Sequence, residues 1–184
     1  MQWWRKLIDR KESLLPTAMV RRASWQHYAQ GVQQSNVEQV DAEAIEVMIK
    51  QDAILVPTRT IQQSGLKMKD SWTESGYKKL QNVTKEHKEA YNLAVRSGVK
   101  IALGTDIGFS VGVKPLSHGS NGSELVYAVE AGLSPLQAIE AATANAPETL
   151  SLQAPLSGQL KEGYDADFIA LDIFLASQIP GHKF

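Results

Sequence analysis

The chain has 184 residues, with 19 basic and 20 acidic side chains and no cysteine. This length allows one domain of good size, and the near-neutral balance gives no support for a nucleic-acid or anionic-membrane partner. The lack of cysteine excludes a disulfide framework and a thiolate metal site. We expect a cytoplasmic protein, because no apolar run approaches the roughly 20 residues of a membrane span and the first residues lack a signal-peptide pattern.

From Asp41 onward, short apolar runs alternate with helical patterns, whereas residues 1–40 show no sustained period. The predicted elements, in chain order, are a helix with Asp41 as N-cap, a buried strand Ala53–Pro57, a polar loop over 58–73, a helix over 74–97 ended by Gly98, a strand Val99–Leu103, and helices over 123–131 and 134–146, the last with Ser134 as N-cap and Pro135 in its first turn. This alternation is typical of a parallel sheet. Residues 158–171 predict a hairpin-like β element around a turn at 161–164.

Asp106 follows the C-terminal end of the strand Val99–Leu103. In α/β barrels, catalytic residues lie at the C-terminal ends of the strands. A metal-bound carboxylate or a general base would suit that position. Gly104 would let the backbone approach closely, and Thr105 could orient the carboxylate. A turn or capping aspartate is an equally simple interpretation, and the local pattern leaves both open.

Further polar residues follow Asp106 or lie on the preceding helix. His118 either faces a substrate or makes a structural hydrogen bond, which is the commoner role of a lone histidine. Glu124 is expected to favour the first turn of its own helix through the helix dipole, with Asn121 or Ser123 as the cap. His87 is predicted on a helix surface, and no two histidines have metal-binding spacing.

Several segments together resemble the C-terminal part of a metal-dependent amidohydrolase, in the branch that contains imidazolonepropionase-like, prolidase-like and ochratoxinase-like enzymes. The segments that carry the resemblance are Gly98-Val-Lys-Ile-Ala-Leu-Gly-Thr-Asp106, His118-Gly-Ser-Asn121, Glu124–Ile139, Ala142–Ala146 and Gly158–Asp167. They cover roughly residues 41–172, and their order and spacing are more specific than any one of them.

The resemblance implies an α/β fold, with a partial (β/α)8 TIM-like barrel and the remnant of a small β-sandwich at the C-terminus. It implies that Ala53–Val56 and Val99–Leu103 are the seventh and eighth barrel strands. Residues 41–150 would then be barrel and 151–172 sandwich remnant, with 173–184 a divergent tail.

The resemblance also implies a chemistry. Asp106 would be a metal ligand and general base for hydrolysis of carbon–nitrogen bonds other than ordinary peptide bonds, or of amide or dipeptide bonds. His118 would be a substrate-binding residue. The implied cofactor is zinc or another divalent metal, and the implied partner is a small amide or dipeptide-like molecule.

The chain departs from the family pattern in its metal-binding histidines. Where the histidine after the sixth strand is expected, residues 33–39 contain none, and a full barrel needs about 250 residues. The alternative reading is a truncated, catalytically inactive fragment that retains no zinc, since catalytic zinc usually has about three protein ligands. Uncovered strand edges and helix faces would favour self-association. An independent α/β binding module is a third possibility.

Residues 1–40 prompt a separate hypothesis, that they are an out-of-frame translation of the family's own sequence. Trp3-Trp4 can only be encoded by TGG TGG, and reading from the third positions gives a valine codon. The same shift permits a His-x-His-Gly string around Pro16–Val20, which is similar to the family's strand-five motif. The nucleotide sequence tests this hypothesis, because codons that cannot spell the shifted string would exclude it.

Overall fold

The structure, a computed structural model, describes residues 32–34, 40–107 and 116–169. Its elements are β1 (Val32–Gln34), α1 (Ala42–Lys50), β2 (Ile54–Val56), α2 (Arg59–Lys67), α3 (Glu74–Arg96), β3 (Lys100–Ile101), α4 (Ser123–Glu130) and α5 (Pro135–Ala142), with 3₁₀ segments at Lys69–Ser71 and Pro147–Gln153. In these ranges, no helix combines the length and apolarity that a membrane span requires. The predicted α/β class is confirmed, with helix predominating.

The three strands form one parallel sheet in the order β1-β2-β3. Val32 pairs with Ile54, and Leu55 pairs with Ile101. The carboxyl ends of β2 and β3 therefore lie side by side. The sequence did not predict β1, because Val32 is the only apolar residue in that strand. The rest of the segment 1–40, apart from Val40, lies outside the described residues, so its proposed frameshift stays a prediction.

The sheet is buried on both faces. Leu55 and Ile101 lie in the main hydrophobic core with helix residues that include Met48 and Tyr91. On the other face, a smaller buried cluster contains Ile54, Val56 and Ala102. Parallel strands covered on both faces give continuous apolar runs in sequence, which explains why β2 was predictable. β3 was predictable because it lies in the run Val99–Leu103, whose only charged residue is Lys100.

Three predicted helix boundaries are confirmed. The Asp41 carboxylate accepts a hydrogen bond from Ala44 N at 3.0 Å and begins α1. Ser134 begins α5 with a reciprocal capping box, in which Gln137 N donates to Ser134 Oγ at 3.3 Å and Ser134 N donates to Gln137 Oε1 at 2.9 Å. Gly98 follows α3 with a φ of 80°, a conformation that favours glycine after a helix.

The prediction of a polar loop over 58–73 is wrong, because residues 59–67 form α2. The buried residues of this helix are polar or small: Arg59, Thr60, Ser64 and Gly65. A search for apolar periodicity cannot find such a helix, which is stabilised by its contacts with other elements. One of these is the hydrogen bond from the Trp72 indole Nε1 to Gly65 O at 3.0 Å.

The hairpin-like β element predicted over 158–171 is also wrong as far as the structure describes it, since residues 158–169 contain no strand. The turn itself is present, with Tyr164 N donating to Lys161 O at 3.0 Å. Strands need a hydrogen-bonded neighbour, and the exposed Leu160 and Phe168 show that this segment packs against little. The barrel and the β-sandwich stay predictions.

The outer edge of β3 is covered by the end of α5. Leu103 N donates to Ala141 O at 3.0 Å, and Asn145 Nδ2 donates to Ile101 O at 2.9 Å. The inner side of the strand pairs with β2 through Ala102 N and Leu55 O. The open strand edge expected from a partial barrel is therefore blocked at these two groups, and self-association stays a prediction.

Candidate active site

Gly104, just after β3, packs closely against the end of β2 and the residue Thr58 that follows it. A Cβ atom added at Gly104 would lie 2.8 Å from Val56 Cγ1 and 3.7 Å from Thr58 Cγ2. Only glycine lets the end of β3 approach the end of β2 this closely, which confirms the role expected for Gly104. The residues after both strands thus meet at the carboxyl edge of the sheet.

Asp106 lies at this edge, two residues beyond Gly104. Its side chain is exposed, and its backbone is left-handed with a φ of 52°, a conformation that aspartate tolerates better than most residues. Partial desolvation raises the pKa of its carboxyl above the ordinary value. The neighbouring Thr105 hydroxyl accepts a hydrogen bond from Ile107 N at 3.4 Å. The Asp106 carboxylate is therefore accessible to a small molecule.

His118 is exposed in a series of tight turns that leads into α4. The N-cap of that helix is Gly122, which has no side-chain cap bond, so the predicted cap at Asn121 or Ser123 is wrong. The Asn121 side chain accepts a hydrogen bond from Gly119 N at 3.2 Å instead. Such local bonds compete with helix capping.

Glu124 has a role that the sequence did not predict. It lies in the first turn of α4 as expected, but it is 2% exposed and its carboxylate binds the beginning of α2. Arg59 N donates to Oε1 at 2.8 Å, Thr60 N donates to Oε2 at 2.8 Å, and the Thr60 hydroxyl also donates to Oε2. The N-cap of α2, Thr58, makes no side-chain cap bond. Glu124 therefore caps a different helix from its own.

Opposing effects act on the Glu124 carboxyl. Burial raises its pKa, while the hydrogen bonds from Thr60 and Arg59 and the Arg59 charge lower it, and the net direction is upward. The sequence missed this residue because the helix that it caps was predicted to be a loop.

His87 is buried at 1% exposure, so its predicted place on a helix surface is wrong. Its Nε2 lies 2.6 Å from Pro57 O and its Nδ1 lies 3.4 Å from the Arg59 guanidinium. Because a carbonyl oxygen can only accept, Nε2 carries the hydrogen and Nδ1 faces the guanidinium as an acceptor. The spacing of Thr84, His87 and Tyr91 on one buried face of α3 was the available signal.

Arg59 connects these groups. It is 5% exposed, and its NH1 donates to Thr84 O at 3.2 Å. Its guanidinium carbon lies 6.0 Å from the centre of the Tyr127 ring, within the range of a cation–π contact. Burial lowers its pKa, whereas neighbouring acidic groups raise it. We call Glu124, Arg59, Thr60 and His87 the buried polar cluster.

The described residues do not fit a zinc site by themselves. Within the described ranges, no three His, Cys, Asp or Glu side chains come together as metal ligands. His87 is committed to Pro57 and Arg59 through its two ring nitrogens. Asp106 alone supplies one carboxylate, and catalytic zinc needs about three protein ligands.

The sequence profile of the amidohydrolase family matches residues 24–181. The chain belongs to the amidohydrolase family. Among its curated relatives, the ochratoxinase of Aspergillus niger is 42% identical over 145 residues, which is 74% of this chain and 27% of the ochratoxinase. The amidohydrolase resemblance predicted from sequence is confirmed, including the ochratoxinase-like branch. The chain spans about a quarter of the length of the curated relatives that it matches.

Solved amidohydrolase-like structures agree with this assignment. The crystal structure of A. niger ochratoxinase matches with a TM-score of 0.65 and 41% identity, over 78% of this chain and 31% of that one. A Xaa-Pro dipeptidase with bound methionine in its active site matches with a TM-score of 0.56 and 32% identity, over 69% of this chain and 30% of that one.

Proposed function

We propose that this chain carries the general-base carboxylate of an amide hydrolase. The observation that carries the proposal is the place of Asp106, whose exposed and partly desolvated carboxylate follows β3 at the carboxyl edge of a parallel sheet. In an α/β barrel, this edge is where catalytic residues lie. The family membership and the names of two relatives, an ochratoxinase and a Xaa-Pro dipeptidase, favour a small amide or dipeptide-like substrate.

The proposed step is hydrolysis of a carbon–nitrogen bond by water. As the water oxygen attacks the amide carbon, Asp106 accepts a proton from it, and the proton then passes to the nitrogen as the carbon–nitrogen bond breaks. His118, exposed on the turn before α4, is proposed to contact the substrate.

The resemblance further implies that Asp106 binds zinc or another divalent ion. Because the described residues supply too few ligands, we propose that the chain alone retains no such ion and shows no significant turnover. This is the inactive-fragment alternative. It is compatible with a catalytic role for Asp106 only where other residues complete the site.

A chimera separates these proposals. The segment of A. niger ochratoxinase that aligns with residues 41–172 is replaced by those residues, and hydrolysis of ochratoxin and of a Xaa-Pro dipeptide is measured. We expect the chimera to be active on at least one of them, and Asp106→Asn to lower kcat by on the order of 100-fold or more, since a general base contributes about that much. Glu130→Gln, an exposed carboxylate on α4, is the control and should retain activity.

Two results would contradict the proposal. Full activity of the Asp106→Asn chimera would show that this carboxylate is not the base. A folded chimera that binds zinc but is inactive with Asp106 intact would show that this segment no longer supplies the catalytic function.

A further inference from the structure

Glu124 joins two parts of the molecule that are far apart in the chain. Its partners Arg59 and Thr60 precede it by 65 and 64 residues. Arg59 and Thr60 are the first residues of α2, which follows β2, and Glu124 lies in the first turn of α4, the first helix after β3. One buried carboxylate therefore links the beginnings of the two helices α2 and α4.

Among the described residues, Glu124 is the acceptor for the two α2 amides. Thr58, the N-cap, has left-handed backbone angles of 49° and 47° and makes no cap bond with its hydroxyl. The first amides of a helix need an outside acceptor, and a carboxylate is favoured there by the helix dipole. Hydrogen bonds to an ionised group are also stronger than neutral ones. Loss of the Glu124 carboxylate would leave buried donors without partners.

The segment before Glu124 is tightly connected to it. We call residues 117–123 the His118 turn. Ser120 N donates to Ser117 O at 3.2 Å, Ser123 N donates to Ser120 O at 3.1 Å, and Glu124 N donates to Asn121 O at 3.1 Å. These overlapping backbone hydrogen bonds connect Glu124 with the turn that contains His118.

The segment on the other side of the link lies beside Gly104. Thr58, which precedes the capped amides, is 3% exposed. Its methyl group would lie 3.7 Å from a Cβ atom at Gly104, two residues before Asp106. The link at Glu124 therefore connects the His118 turn with the backbone that packs against the Asp106 loop.

We propose that Glu124 is a positioning residue, which fixes the His118 turn against the carboxyl end of β2 by binding the first amides of α2. The proposal rests on the proposed function only for the roles given to His118 and Asp106. Its test uses neither metal nor substrate, so its failure can be told apart from failure of that function.

The test is amide hydrogen exchange and imidazole NMR on the full chain with Glu124→Gln. The glutamine amide group would direct donor hydrogens at one of the two α2 amides. We expect exchange to rise roughly tenfold at Arg59, Thr60 and the His118 turn, as expected for loss of one charge-assisted bond, and the His118 imidazole resonance to shift. The matched control is Glu130→Gln, which removes an exposed carboxylate that also acts on Arg59 but caps nothing.

Amides at the buried residues Tyr91 and Ala94, in the C-terminal part of α3, report global unfolding. Faster exchange confined to Arg59 and Thr60 would make Glu124 a helix cap only and overturn the proposal. An equal rise at the α3 amides would make it a global stabiliser and overturn it too. Should Glu124→Gln fail to fold, Thr60→Val removes one donor while keeping the shape of the side chain, and the same pattern of local change is expected at smaller size.

Discussion

His87 has the environment that gives the clearest pH dependence. Its imidazole is buried, donates to Pro57 O and faces the Arg59 guanidinium. Desolvation, with a further effect of the Arg59 charge, lowers its pKa to about 4, whereas the pKa of a histidine in an unfolded chain is about 6.5. Between these values the unfolded chain binds a proton that the folded chain does not. The stability that this histidine contributes is therefore complete above the unfolded value and is lost as the pH falls towards 4.

The corresponding prediction compares the wild type with His87→Gln. Glutamine can still donate to Pro57 O and accept from Arg59, but it cannot take up a proton. We expect the free energy of unfolding of the wild type to fall by roughly 3 kcal/mol more than that of His87→Gln between pH 7 and pH 4. Urea unfolding at several pH values measures this difference.

The comparison is needed because Glu124 acts in the opposite direction. Its raised pKa means that the folded chain holds a proton more tightly than the unfolded chain, so its contribution falls as the pH rises through that range. Both the wild type and His87→Gln contain Glu124, so subtracting their free energies of unfolding removes the contribution of Glu124. His118→Gln, which changes an exposed histidine, is the control, and its free energy of unfolding should fall in acid as much as that of the wild type. Equal acid sensitivity of His87→Gln and the wild type would refute the role given to His87.

At the scale of elements, the contact between the ends of β2 and β3 depends on Gly104. A Cβ atom there would lie 2.8 Å from Val56 Cγ1, and Val56 is a buried, β-branched residue that cannot turn aside easily. We expect Gly104→Ala to lower the free energy of unfolding by about 1–3 kcal/mol, the usual cost of overpacking. Thermal or urea unfolding measures it.

Gly122→Ala is the matched control for that substitution. Nothing lies within 4 Å of a Cβ atom at Gly122, and its φ of −59° suits alanine. This variant should change the free energy of unfolding by less than Gly104→Ala does, because alanine restricts the unfolded chain, which offsets its being a poorer N-cap than glycine. If both variants had the same stability, the close approach at Gly104 would not be a constraint on the fold.

The sequence predicted the elements whose signals are local. Asp41, Ser134 and Gly98 mark helix ends by their own chemistry. β2 is a continuous apolar run, and β3 lies in the run Val99–Leu103, which only Lys100 interrupts. The sequence did not predict α2, because that helix buries Arg59 and Thr60 against partners supplied by Glu124 and Thr84. The buried polar cluster is a product of tertiary contacts, so no window of sequence contains it.

At the scale of the whole molecule, the family was predictable because widely spaced short segments keep their order. The place of Asp106 after β3 followed from the same segments and from the rule for strand ends. The burial of Glu124 and His87 was not predictable in this way, because each depends on contacts with a residue at least 28 positions away in the chain. The β element over 158–171 was predicted from alternation alone, and a strand also needs a neighbour.

The zinc content of the purified chain tests what the whole molecule can do alone. After washing with chelator and incubation with zinc, we expect close to no zinc per chain by elemental analysis, since Asp106 provides one ligand and His87 is occupied by Pro57 and Arg59. Circular dichroism on the same sample controls for folding. About one zinc per chain, lost in Asp106→Asn and accompanied by turnover of a Xaa-Pro dipeptide, would contradict the inactive-fragment proposal. It would mean that residues outside the described ranges, or a second copy of the chain, complete the site.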